Sequence, residues 1–384
     1  MSYPITGAAI ANCLGTDNRT VLDRAFAGAA AFAPASAYYD VPFVTVLGVM
    51  PVLPAEGLAC VMTRVAQIAF ASVVQLQLAA TVERWGARRV AYVFASSTGG
   101  LEETERALAP QPSLPMTAAY SYANHGVDAT TPAIMQYLGI AGVHLAISTA
   151  CSSGLKALAS AIRLIDRGLA DAVVVGSADS LCRTTVFGFH SLGLTAATAT
   201  QPFSQPRAGL TLGEGSAYVV IEREASQREA LATLGGTGAA SDAFHHTSPH
   251  PEGLGGQVCM REALDRAKLS PNEISYVSAH GTGTPQNDAT EAFAVNRVFE
   301  RPIPLTATKS LTGHTLGTAG LTSVILAIES LRRQEIPPTL RVTTDEALHV
   351  RVVDVLTPAR VEHVIVNAFG FGGSNASAVI SRRA

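Results

Sequence analysis

Residues 172–176, Ala-Val-Val-Val-Gly, offer no polar side chain to either face of a strand, so the run fits only the middle of a sheet covered on both sides. Just before it, Leu155, Leu158, Ile162 and Ile165 recur at helical spacing, and Asp166, Arg167 and Gly168 close the stripe. Ahead of that helix lies another short β-type run, 144–148. The second half repeats the style with a strand at 274–278, a helix at 319–331 and a buried strand at 364–367. Such alternation predicts an α/β chain with a mostly parallel sheet and helices on its faces. No low-complexity linker divides it, and the charged stretch 222–229 is the one seam, giving halves 1–224 and 225–384.

Composition supports a large buried core and excludes several classes. Charged residues are 15% of the 384, against about 25% in an average globular chain, which rules out disorder. A net charge of −3 argues against nucleic-acid binding. The uncharged run 65–82 carries glutamines, a serine and a threonine, so it reads as one buried helix and not as a membrane span. No basic-then-apolar leader opens the chain, and the five cysteines form no C-x-x-C; both fit a reduced cytoplasm. Cys13, Cys60, Cys182 and Cys259 read as small hydrophobes, with Cys60 and Cys259 in helix-like stretches.

Cys151 differs. Ser148-Thr-Ala-Cys151-Ser-Ser-Gly154 sits where a strand turns into a helix, and a thiolate at a helix N-terminus is favoured by the macrodipole. A nucleophile needs donors or a base. His280, in Ala279-His-Gly-Thr-Gly-Thr284, directly follows a strand; His314 lies five residues after Lys309 in a glycine-threonine loop that opens a helix. Lysine occurs three times in all, at 156, 268 and 309, which singles out Lys309 beside a histidine. His245, His246 and His250 suggest a metal, but Pro249 and Pro251 break helical ligand spacing, and no metal is expected. The loop Gly370-Phe-Gly-Gly-Ser-Asn375 lacks the lysine and spacing of a phosphate loop and reads as tightly turned backbone able to aim N–H groups at an oxyanion, with Phe371 as a wall or gate.

Taken in order, these motifs resemble the β-ketoacyl-acyl-carrier-protein synthases, the elongating condensing enzymes. The likeness also includes Ile5-Thr-Gly7, Gly213-Glu-Gly215 and Ser241-Asp-Ala-Phe-His-His-Thr-Ser-Pro249. It implies a thiolase-like fold, five αβαβα layers built from two similar halves, working as a homodimer or with a ketosynthase-like partner. It implies that Cys151 takes an acyl chain from acyl carrier protein, that His280 and His314 hold the malonyl thioester oxygen, and that Lys309 orients the site. It further implies an oxyanion hole from the N–H groups of Cys151 and Phe371. Thr282, Thr284 and Thr247 would contact the phosphopantetheine arm, Thr98 the acyl pocket, and Glu291 and Asp288 would support. No cofactor is implied beyond the substrates' own phosphopantetheine, and the pathway is fatty acid or type II polyketide synthesis, aryl polyene included.

Rival members of the fold are disfavoured. A chain-length-factor subunit would lack Cys151, a thiolase would carry a second cysteine after Cys259, and an initiating synthase would have Asn at 314. Two departures stand out: Gln201, Ser204 and Ala208 break the usual pattern around Arg207, and apolar residues follow Arg64 where the resemblance implies a basic carrier-docking patch.

Overall fold

The computed structural model describes residues 2–51, 63–108, 121–224 and 230–383. Cys60 and residues 225–229 of the seam lie outside them. Eleven strands form one twisted sheet. The first half contributes β1 (Tyr3–Asn12), β2 (Val90–Ala95), β3 (His144–Ile147), β4 (Ala172–Asp179) and β5 (Gly215–Glu222). The second contributes β6 (Ala232–Ser241), β7 (Tyr276–Ser278), β8 (Pro304–Thr306), β9 (Arg351–Val352), β10 (His363–Gly370) and β11 (Ser374–Ser381). Across the sheet the order is β9-β8-β7-β10-β11-β6-β1-β5-β4-β2-β3. Each half therefore runs first, last, fourth, second, third from the seam outward, with β9 added at one edge. The halves meet where β1 pairs antiparallel with β6, Tyr3 against Leu234.

The expectation of a mostly parallel sheet needs correcting. β2, β3 and β4 are mutually parallel, as are β7, β8 and β10. Yet β5 and β11 run antiparallel to both of their neighbours. Apolarity reports burial of both faces and carries no strand direction.

Side chains alternate across each strand and so sort into layers. Val173 and Val175 face inward and Val174 outward; Val364 and Val366 face inward and Ile365 outward. The inner faces cover two central helices, α3 (Ser153–Asp166) and α7 (Ala319–Arg333), through Leu155, Leu158, Leu321 and Ile325. On the outer face of the first half lies α1 (Arg64–Val73), with Ile68 and Val73 against Tyr92 and Phe94; α2 (Ala79–Trp85) follows it. Helices α5 (Leu254–Ala267) and α6 (Pro285–Val298) cover the second half with Met260, Leu264 and Val295. Five layers result. The remaining helix used below, α4 (Arg183–Ser191), lies beside the site.

The single helix expected at 65–82 is two. α1 ends at Val73, α2 begins at Ala79, and Val74 between them is exposed. Among the described residues no helix is long and apolar enough to cross a membrane.

Candidate active site

Cys151 follows β3 on a turn so tight that Ala150 adopts φ 52°, a left-handed value unusual for alanine. Ser153 holds the turn: its Oγ accepts the Thr149 N–H at 2.9 Å and donates to the Ala150 carbonyl at 2.6 Å. Gly154 allows close approach of the other half, because a Cβ there would stand 3.0 Å from the Gly317 carbonyl oxygen. That contact brings the His314 loop over the thiol. The His314 backbone is pinned in turn to the first half, its N–H donating to Thr211 O at 2.7 Å.

The geometry fixes both imidazole tautomers. His314 Nδ1 accepts the Leu316 N–H at 3.1 Å, which leaves the proton on Nε2, 3.1 Å from Cys151 Sγ. His280 Nδ1 lies 3.2 Å from Lys309 Nζ, whose ammonium also donates to the His280 carbonyl, so here too Nε2 carries the proton. The two rings are edge to face with centroids 5.3 Å apart. Burial, reinforced by the Lys309 charge, holds both histidines well below their ordinary pKa, so they are neutral donors.

The Cys151 sulfur and one nitrogen of each ring lie within 4.8 Å of one another, a spacing that a metal ion could bridge. Binding a metal through Nε2 would move each proton to Nδ1, against the Leu316 N–H and the Lys309 ammonium. The donor set fits an oxyanion better than a cation. His245 and His246, considered as ligands from sequence, are exposed in the loop after β6.

The thiol contradicts one expectation. Burial pushes the Cys151 pKa up to about 11, against the opposing pull of Lys309 and the Phe371 N–H. Desolvation outweighs both, so burial favours the thiol form. Lys309 is itself held down to about 8 by burial.

Behind the histidines, Glu291 accepts the N–H groups of His280 and Gly281, both at 2.8 Å, while burial pushes its pKa to about 7. Asp288 accepts the Phe203 N–H at 2.7 Å and the Gly283 N–H at 3.2 Å. Both carboxyls thus shape the loops and stay out of the pocket. In front opens a pocket lined by Cys151, His280, His314, Thr247, Thr282, Thr284 and Phe371 among others. Thr282 and Thr284 share a 2.9 Å hydroxyl contact on one wall.

Thr98 is not among the residues lining that pocket, and its N–H and Oγ1 both donate to the buried carboxylate of Asp179 at 2.8 and 3.0 Å. Arg64 turns inward to an ion pair with the buried Glu214, so it offers little charge to a carrier. Arg207 is likewise engaged, by Asp345 at 2.5 Å. Sequence reasoning missed Phe189 on α4, which lines the pocket and stacks on Phe371 with centroids 5.4 Å apart. Only proximity in space marks it, because its stretch carries no motif.

A buried cysteine under two neutral imidazole donors, on a duplicated five-layer αβαβα scaffold, defines a condensing acyltransferase of the thiolase-like class. Sequence comparison gives the family. Residues 62–227 match the β-ketoacyl synthase N-terminal domain and 231–343 its C-terminal domain, so the chain belongs to the β-ketoacyl synthases. The 3-oxoacyl-[acyl-carrier-protein] synthase 2 of Vibrio cholerae is 33% identical over 78% of each chain. Among solved structures, the ketosynthase ApeO of Xenorhabdus doucetiae, in complex with its chain length factor ApeC, superposes with TM-score 0.92 at 33% identity, covering 100% of this chain and 98% of that one. The ishigamide ketosynthase/chain length factor gives 0.90 at 25%, covering 100% and 99%.

Proposed function

We propose that this chain is an elongating ketosynthase joining an acyl group on Cys151 to a malonyl thioester on acyl carrier protein. The observation that carries the reading is two neutral imidazoles grouped at Cys151: His314 Nε2 lies 3.1 Å from Sγ, and one nitrogen of each ring and the sulfur lie within 4.8 Å of one another. Neutral donors suit an oxygen that becomes an enolate, since they stabilise developing charge without protonating the carbon that must attack.

In the first half-reaction Cys151 gives up its proton and its sulfur attacks the acyl thioester. The carbonyl oxygen gathers charge against the N–H groups of Cys151 and Phe371. Collapse expels the carrier's thiol, which takes the proton. In the second, malonyl thioester occupies the pocket with its thioester oxygen on His280 and His314, and Thr282, Thr284 and Thr247 contact the arm. Loss of CO2 leaves the enolate. Its carbon attacks the acyl carbonyl, the C–S bond to Cys151 breaks with its electron pair on sulfur, the sulfur takes a proton from water to restore the thiol, and 3-oxoacyl thioester leaves. No cofactor is needed beyond the phosphopantetheine that the substrates bring.

Residues 1–224 form the nucleophile half and 225–384 the donor half in this reading. The protein works in the cytoplasm as a dimer, with its own copy or with a chain-length-factor partner. The exposed edge strand β3, with Leu145 39% accessible, supports pairing there. Likeness over the whole chain to ketosynthases solved with chain length factors supports a ketosynthase-like partner and, with it, a type II polyketide pathway. Expression beside its native carrier proteins, followed by mass spectrometry of Cys151, tests the reading. A trapped acyl thioester supports it, and an unmodified cysteine in an active culture removes it.

A further inference from the structure

Lys156 lies five residues after Cys151 on α3, half-buried, and its Nζ donates to Ser374 Oγ at 2.6 Å. No carboxylate forms an ion pair with it among the described residues; the charged or titratable groups facing it are Arg163 and the Cys259 thiol. A partly buried ammonium without a counter-ion is costly, so its position calls for a task.

The hydrogen bonds run in one direction. Ser374 Oγ accepts from Lys156 and is left to donate to Ser152 Oγ at 3.0 Å, which donates to Thr149 O at 2.8 Å. Ser152 Oγ also lies 3.1 Å from Thr149 Oγ1, so the chain ends doubly on the turn that carries Cys151. Ser374 is also the partner of Gly370 across the β10–β11 hairpin. Gly370 is pressed onto the same turn, where a Cβ would stand 3.2 Å from the Cys151 backbone N. The next N–H, that of Phe371, faces the sulfur.

We infer that Lys156 is a positioning residue: through Ser374 it latches the 370–374 hairpin to the nucleophile turn and so sets the Phe371 N–H against Cys151. The inference rests on the proposed role of that N–H in acyl transfer. It divides the half-reactions, because malonyl decarboxylation uses His280 and His314 and not this hairpin.

The test compares Lys156→Met, Ser374→Ala, the double variant and Lys156→Arg. Three rates are measured: single-turnover acylation of Cys151 by octanoyl-phosphopantetheine, decarboxylation of malonyl-phosphopantetheine, and alkylation of Cys151 by iodoacetamide across pH. A donor displaced by about 1 Å can cost up to about 10²-fold, so each single variant should slow acylation about tenfold. The alkylation profile should move to higher pH, because a lost N–H no longer favours thiolate. Decarboxylation should hold, the double variant should be no worse than either single, and Lys156→Arg should recover most of the acylation rate. Additive losses, equal losses in both half-reactions, or unchanged acylation would each overturn the latch. If Lys156→Met does not fold, Ser374→Ala decides by the same criteria. A wild type that decarboxylates malonyl thioester yet accepts no acyl group refutes the proposed function; its alkylation profile still reports the latch.

Discussion

His314 Nε2 stands 3.1 Å from Cys151 Sγ while its Nδ1 is occupied by the Leu316 N–H, so the imidazole faces the thiol as a donor and not as a base. That relationship separates this site from a cysteine–histidine ion pair, in which the ring must take up the thiol proton. It also divides the labour among the residues, which the following measurements probe.

Cys151→Ala abolishes acyl transfer and condensation and leaves the fold intact, since the site already accommodates a side chain of that size. Retained condensation at near wild-type rate would remove Cys151 from the chemistry. Malonyl decarboxylation by the variant should persist, because His280 and His314 remain.

His280→Ala and His314→Ala each slow decarboxylation by about 10²–10³, the usual cost of one oxyanion donor. Acylation of Cys151 should suffer less in His280→Ala, whose ring makes no hydrogen bond to the sulfur. Single-turnover assays of each half-reaction measure the difference, and equal losses in both variants would contradict the assignment.

Lys309 gives a pH signature. Its folded pKa is about 8, depressed from 10.5, so folding favours the neutral amine. The stability linked to this group is present above about pH 10.5 and lost as pH falls through about 8. Measured against Lys309→Met, the wild type should therefore gain thermal stability as pH rises across that window. Decarboxylation should fall as pH rises through about 8, because loss of the Lys309 charge weakens the donation that holds His280 Nδ1 as an acceptor. Parallel pH dependence of the two proteins would place the titration elsewhere.

Phe371 is half-buried and stacked on Phe189 beside a glycine with φ 75°. Phe371→Ala should slow acylation while costing less than the roughly 3–5 kcal/mol of truncating a fully packed phenylalanine. The unfolding midpoint and the acylation rate decide together. A large stability loss with normal acylation makes the ring a packing residue and not a gate.

Cys151, His280, His314 and Lys309 were legible in the sequence because small residues and glycines mark each strand-to-helix turn. What escaped has physical causes. Residues 65–82 show apolarity without a breaker, so nothing in composition announces the turn after Val73. Strand direction is invisible in Val219 or Val379, which look alike in parallel and antiparallel ladders. Thr98 and Arg64 sit at informative positions, yet each is captured by a buried carboxylate, Asp179 or Glu214, far away in sequence. The pKa of Cys151 depends on burial, which its local motif does not encode.

The seam between β1 and β6 has a temporal meaning. A ribosome delivers the first half before the second. Cys151 thus emerges ahead of His280, His314 and the hairpin that presents the Phe371 N–H. Strand β11 lies between β10 and β6, so neither the sheet nor the site is complete until that last strand is in place. Until then Cys151 lacks both the donors and the covering loops that the second half supplies. A chain in that state neither captures acyl groups nor spends malonyl units, and the reaction begins only when folding is finished.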